Sequence, residues 1–224
     1  MIKPVIYDEL FDMNDGLTPE FYDGVIYVDN FYKHYEEIYE MLSNTSVNVW
    51  KYEKDSMNFI DYYDCRLTLE NGFYSDKFID RINSIIELIF YCFQEKKDVG
   101  IVDTYYRFNY YKNIKKNVSN DLQHYPHIDD VNNAYNAIVY LDKQCSGGTA
   151  IYPDIDDLEN DEANNLLFDV SNTSKKIIQA KPNRLVIFRG DVYHGGYIED
   201  HNTYTDENWR INQGMFFRTF DTND

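Results

Sequence analysis

The stretches that decide the fold lie in the C-terminal half: 136–142 (NAIVYLD), 147–153 (GGTAIYP), 184–190 (RLVIFRG) and 210–220 (RINQGMFFRTF), with 104–111 (TYYRFNYY) upstream. Each is a short run of β-branched or aromatic residues, and Gly, Pro, Asn and Asp separate one run from the next. Seven or eight such runs within about 120 residues predict an all-β half wound as a double-stranded β-helix, or jelly roll. The segment 154–175, DIDDLENDEANNLLFDVSNTSK, breaks the pattern with acids and Asn and reads as a long loop. Asp154 and Asp156 begin like a calcium loop, but Leu158 takes the next ligand position, which leaves a solvated loop.

Toward the N-terminus the period changes. Residues 25–29 (VIYVD) predict a short strand, and Asp29 or Asn30 is placed to cap a helix over 31–43, with Phe31, Tyr35, Ile38 and Leu42 on one face. A second helix is predicted over 75–96, opening at Ser75 or Asp76 and carrying Phe78, Ile82, Ile85, Ile86, Ile89 and Phe93 at helical spacing. Amphipathic helices need a surface to bury against, so both are expected on the outside of one sheet. The 224 residues then form one domain, with a helical support at about 25–100 and a jelly-roll core at about 101–220.

Composition narrows the function. Aromatic residues make up 17% of the chain, enough apolar surface to exclude a disordered protein. A net charge of −18 excludes a dedicated duplex binder, whose affinity comes from neutralising phosphates. Cys65, Cys92 and Cys145 cannot make a disulfide framework, the first residues carry acids where a leader would be basic, and no apolar run is long enough to span a bilayer. A soluble, cytoplasmic protein with no membrane partner is expected.

The chemistry concentrates in His127-Ile128-Asp129, within QHYPHIDD, and in His194, within RGDVYHGG. In an extended strand residues i and i+2 share a face, so His127 and Asp129 can offer an imidazole and a carboxylate to one point. A second imidazole would complete a two-His, one-carboxylate face, which leaves three adjacent octahedral positions open, whereas zinc favours a nearly closed tetrahedron. A lone H-x-D is common in an Asp-rich chain. Its weight comes from context: it follows a predicted strand, His194 is expected in a turn after RLVIF, and Arg210 lies sixteen residues further on the last strand. His124 lacks an acid two residues on and is expected beside the site, as a neighbour of the ligands or a substrate contact. His201, in a polar loop, is expected to be solvated.

Taken in order, TYYRFNYY, the H-x-D pair, AIVYLD, GGTAIYP, RLVIFRGDVYHGG and WRINQGMFF resemble the Fe(II)- and 2-oxoglutarate-dependent oxygenases, in particular their prolyl-hydroxylase-like branch. VIYVDNFYKHYEEIYEML resembles the strand–helix opening of the same proteins, so the likeness runs over about residues 25–220. It implies iron at His127, Asp129 and His194, and Arg210 on the distal carboxylate of 2-oxoglutarate. A planar guanidinium suits that role because it grips a carboxylate through paired hydrogen bonds. Tyr140 matches the family's phenol at the same carboxylate, and Asn212 shares the strand face of Arg210. One of Arg107, Asn109 and Tyr111, which alternate on one face, is expected near the chelating end. Gly147-Gly148 is expected to shape a turn.

The resemblance also implies the reaction: dioxygen and 2-oxoglutarate are consumed, succinate and carbon dioxide are released, and a substrate C–H is hydroxylated, with ascorbate as a stimulant. Peptides, amino acids and small molecules are the substrate classes of such relatives. Lys112, Lys115 and Lys116 lie beside the predicted metal strand, where a solvated loop is the plainer reading. Two other functions fit the residues: a cupin-like metal enzyme without 2-oxoglutarate, which has no need of Arg210, and a noncatalytic jelly-roll binding module.

Overall fold

The computed structural model describes residues 8–44, 51–54, 61–64, 66–67, 76–100, 106–112, 119–129, 134–155, 167–204 and 210–220. The elements in chain order are β1 (Glu20–Tyr22), β2 (Val25–Val28), α1 (Tyr35–Asn44), β3 (Lys51–Lys54), β4 (Asp61–Asp64), β5 (Arg66–Leu67), α2 (Asp76–Phe93), β6 (Asp98–Gly100) and β7 (Tyr106–Lys112). They continue with β8 (Leu122–His124), β9 (Tyr135–Tyr140), β10 (Gly148–Ile151), β11 (Leu167–Asp169), β12 (Lys176–Gln179), β13 (Arg184–Arg189), β14 (His194–Tyr197) and β15 (Arg210–Phe220). The described residues are mainly β with two α-helices, and every strand pairing among them is antiparallel.

The large sheet runs β1-β2-β13-β9-β15-β7-β4-β3, with β5 added on β7 and β6 on β15. A second sheet has the order β12-β10-β14, and β8 pairs with β11. The period-two alternation of β9, β13 and β15 divides the large sheet into two chemical faces. Tyr135, Ala137, Val139, Leu185, Ile187, Ile211, Met215 and Phe217 enter one buried cluster together with Ile38 and Leu42 of α1 and Ile82, Ile85 and Ile89 of α2. Each fully buried Ile or Leu contributes about 1.5–3 kcal/mol, so this burial, rather than helix propensity, holds the two helices. Tyr140, Val186 and Phe188 point the other way, into a cluster with Val25 and Ile178 and, at its margin, Ile151.

α1 begins at Tyr35, four residues later than the predicted start. Phe31 and Tyr32 are held first: their amides donate to Asn183 O and Oδ1 at 2.9 and 2.8 Å, and Asn30 is left-handed at φ 55°. α2 stops at Phe93, where Gln94 turns left-handed at φ 52°, a common way for a helix to end. The expected loop 154–175 contains a strand: β11 pairs with β8, and Val170 behind it is buried. Residues 156–166 lie outside the described residues.

Gly147 and Gly148 form the entrance to β10 rather than a turn. Both have positive φ (85° and 156°), and a Cβ on either would clash with a backbone oxygen, 2.3 Å from Tyr197 O and 2.0 Å from Ile178 O. The entrance is therefore closed to any side chain, which lets β10 run between β12 and β14. Among the described residues, no helix is long and apolar enough to cross a membrane.

Candidate functional site

His127 and Asp129 do not lie in a regular strand. His127 forms an isolated antiparallel bridge with His194, its N–H donating to His194 O at 2.9 Å and its carbonyl accepting from His194 N–H at 3.0 Å. His194 in turn is the first residue of β14 rather than part of a turn, because β14 pairs with β10 from Ile151↔His194 onward. The bridge sets the two imidazoles side by side, ring centroids 5.0 Å apart, and Phe188 meets the His194 ring edge-on at 5.1 Å. Asp129 reaches both rings: its Oδ1 lies 3.5 Å from His127 Nε2 and its Oδ2 lies 3.0 Å from His194 Nε2. The donor atoms of the three residues all fall within 4.8 Å of one another, close enough to hold one metal ion.

The hydrogen bonds test whether a cation fits. Each imidazole turns Nδ1 to the carbonyl two residues upstream, His127 to Tyr125 O at 2.9 Å and His194 to Val192 O at 3.0 Å. A carbonyl only accepts, so each Nδ1 carries a proton and a neutral ring presents a bare Nε2. Both Nε2 atoms face the Asp129 carboxylate. Lone pair against carboxylate oxygen is repulsive unless positive charge sits between them, as protons on both rings or as a bound cation. Burial disfavours the Asp129 anion, but the hydrogen bonds and charge of His127 and His194 outweigh it and hold the carboxyl well below its ordinary range. A divalent metal supplies the charge this donor set lacks.

Asn136, on β9, was not foreseen. Its side chain is buried and its Nδ2 donates to Asp129 Oδ2 at 3.1 Å while lying 3.4 Å from His194 Nε2. It tethers the acid to the sheet. The signal in the sequence was a polar residue in an apolar strand, four positions before Tyr140 and so on the same face.

That face leads to Arg210, the first residue of β15, which is 3% exposed and donates from Nη2 to Gly148 O at 2.6 Å. Tyr140 is fully buried, with its phenol 2.8 Å from Thr149 Oγ1. Burial pushes the phenol up to about 12, although the Thr149 hydrogen bond and the charge of Arg210 pull the other way. Asn212 is buried beside them, as its spacing from Arg210 predicted. Gly196 makes room here: a Cβ would lie 3.1 Å from His124 Cδ2 and 3.2 Å from Arg210 Nη1. His124 thus lies beside the guanidinium, and burial, reinforced by the charges of Arg210, His127 and His201, lowers its imidazole to about 3.

The buried guanidinium, with the Tyr140 phenol on the neighbouring strand, suits a carboxylate. Arg107, Asn109 and Tyr111 stand on β7 opposite Gly214, Asn212 and Arg210, and their side chains lie outside the described residues. Lys115 and Lys116 lie outside them altogether. His201 departs from expectation: it is 5% exposed, with Nε2 3.1 Å from Leu122 O, because a short 3-10 turn, 201–204, folds it against β8. Thr149, Asp142 and Tyr204 also escaped the sequence reading; Asp142 stands two residues beyond Tyr140, the spacing that keeps a residue on the same face.

No family model matches the chain, and no curated protein matches it. Solved structures match in fold. The non-heme alpha-ketoglutarate-dependent epimerase SnoN from nogalamycin biosynthesis aligns with a TM-score of 0.51 at 13% identity, over 88% of this chain and 79% of its own. A putative oxygenase from Shewanella oneidensis aligns with a TM-score of 0.50 at 12% identity, over 95% of this chain and 84% of its own. A prolyl hydroxylase from Trichoplax adhaerens, solved with a hypoxia inducible factor peptide, gives 0.48 at 13% identity, over 88% and 84%. For the first two, at these identities, the likeness is one of fold.

Proposed function

We propose that this chain is an Fe(II)- and 2-oxoglutarate-dependent dioxygenase, built as a single double-stranded β-helix domain with both helices outside the larger sheet. The observation that carries the reading is the pairing of two unlike sites along β14, which begins at His194 and passes Arg210 at Gly196. His127, Asp129 and His194 form a donor set short of positive charge, and Arg210 is a buried guanidinium. A cupin-like metal enzyme has no use for the second site, and a noncatalytic module has no use for the first.

Iron and 2-oxoglutarate, when bound, supply the oxidising chemistry: dioxygen is reduced as the keto acid is decarboxylated to succinate, and an unactivated C–H of the substrate is hydroxylated. The chain's own residues position and sort. His127 and His194 present Nε2 because backbone carbonyls hold their Nδ1 protons, and Asn136 fixes the carboxylate of Asp129. Arg210, with Tyr140 and Asn212, would take the distal carboxylate of 2-oxoglutarate, and its fork geometry selects a carboxylate over a neutral group. Nearly half of the His127 side chain is exposed, against 7% of His194, so substrate has access from the His127 side. A peptide, an amino acid or a small molecule would meet the site there.

The test is succinate formation under oxygen with Fe(II), 2-oxoglutarate and ascorbate. The expected outcome is slow, iron-dependent succinate release even without primary substrate, and a product 16 Da heavier once a substrate is found. Succinate no higher than in His194→Ala would contradict the reading.

A further inference from the structure

Asp142 is a buried acid that the iron and 2-oxoglutarate chemistry does not use. It follows β9, at 2% exposure. Asn212 pairs with Tyr140, and Leu141 N–H donates to Ile211 O at 2.8 Å, so the register carried two residues on sets Asp142 opposite Arg210. Its Oδ2 accepts from the Tyr204 hydroxyl at 2.8 Å, and that hydroxyl accepts from Ser146 N–H at 2.8 Å. Its Oδ1 is buried and makes no hydrogen bond to another described residue.

From the register and this relay we infer that Asp142 is a positioning residue for Arg210: its carboxylate balances the guanidinium before 2-oxoglutarate arrives, and it takes up a proton when 2-oxoglutarate binds. The inference rests on Arg210 being the cosubstrate anchor. Before binding, an anion opposite a buried guanidinium offsets a charge that would otherwise be costly. An arriving dicarboxylate puts a second anion on the same cation. Two carboxylates then compete in a site from which water is excluded, and the weaker-held one is protonated. Oδ1 is the atom with room for that proton.

The groups that face Asp142 leave it poised for the change. Arg210 from β15 and the Tyr204 hydroxyl favour the anion, the Cys145 thiol and the backbone amide of Asp142 itself add small support, and the phenols of Tyr140 on β9 and Tyr35 on α1 lie near enough to feel its charge. Burial is the largest influence and pushes the carboxyl up to about 6. Adding a second anion beside Arg210 removes part of what favours ionisation and moves it higher. The sign follows: 2-oxoglutarate affinity is greatest below about pH 6 and falls as pH rises, by up to about tenfold per unit, until the bound-state value is passed.

The experiment is calorimetric titration of 2-oxoglutarate into Mn(II)-loaded protein at pH 5.5 to 8.5, in buffers of unlike ionisation enthalpy so that protons are counted. Wild type should take up close to one proton per site near pH 7.5 and lose affinity with rising pH. Asp142→Asn should take up none and hold its affinity within about twofold across the range, and Tyr204→Phe should move the pH dependence upward because the carboxylate loses its donor. Binding by wild type without proton uptake, or the same uptake in Asp142→Asn, would overturn the role of Asp142 alone. No binding by wild type at any pH, with Mn(II) bound, would overturn the cosubstrate anchor and this inference with it. The wild-type proton count decides even where a variant fails to fold.

Discussion

His127, on the metal side, leaves 49% of its side chain exposed, while Arg210, on the other side of the same interior, is 3% exposed. The metal donors come from a bridge and a bend at the edge of the small sheet, held by two backbone hydrogen bonds between His127 and His194. The anchor comes from the large sheet, where β15 lies between β9 and β7 and Tyr140, Thr149 and Asn212 are buried. On the proposed function the two ends divide the work, substrate entering at one and the cosubstrate held at the other. The exposed end must admit substrate and exchange water, so its order comes from a few short tethers. The buried end sees one invariant ligand and can be locked into the sheet.

That contrast can be broken at its open end. His194→Ala should abolish stoichiometric Fe(II) binding, the largest effect expected, while circular dichroism and thermal unfolding stay close to wild type because His194 stands at the start of a strand rather than in a packed cluster. Retained iron in that variant would place the metal elsewhere. A smaller effect is expected from Asn136→Ala, which removes the tether on Asp129 Oδ2 without removing a metal donor. It should lower metal affinity about 10- to 100-fold, and change the visible spectrum of the Co(II)-loaded protein as the carboxylate reorients. An unchanged Co(II) spectrum would mean that the bridge alone orders the donors.

The strands were legible because a period of two in β9, β13 and β15 sorts residues between faces; Asn212 follows from Arg210 by that count, whereas Arg210 and Tyr140 were picked out by the resemblance. The metal pair was legible in content and misread in mechanism. The i, i+2 argument for His127 and Asp129 presumed a strand, and what brings them together is a single bridge to His194, a long-range pairing that no local pattern encodes. His201 shows the converse, a polar loop residue buried because β8 offers it a carbonyl. The late start of α1 depends on Asn183, 151 positions away from Tyr32. Asn136 and Asp142 were hidden because an isolated polar residue in or after an apolar strand signals function only once its partner across the sheet is known.

The account rests most heavily on the two ends acting together, and anaerobic titration of 2-oxoglutarate into the Fe(II)-loaded protein, followed by visible absorption, tests that directly. Wild type should develop a weak charge-transfer band that saturates at one equivalent. Arg210→Gln should bind iron as before and develop the same band only at about 30- to several-thousand-fold higher 2-oxoglutarate, because truncating one partner of a buried charged pair costs about 2–5 kcal/mol. No band in wild type, or a band of wild-type affinity in Arg210→Gln, would contradict the account.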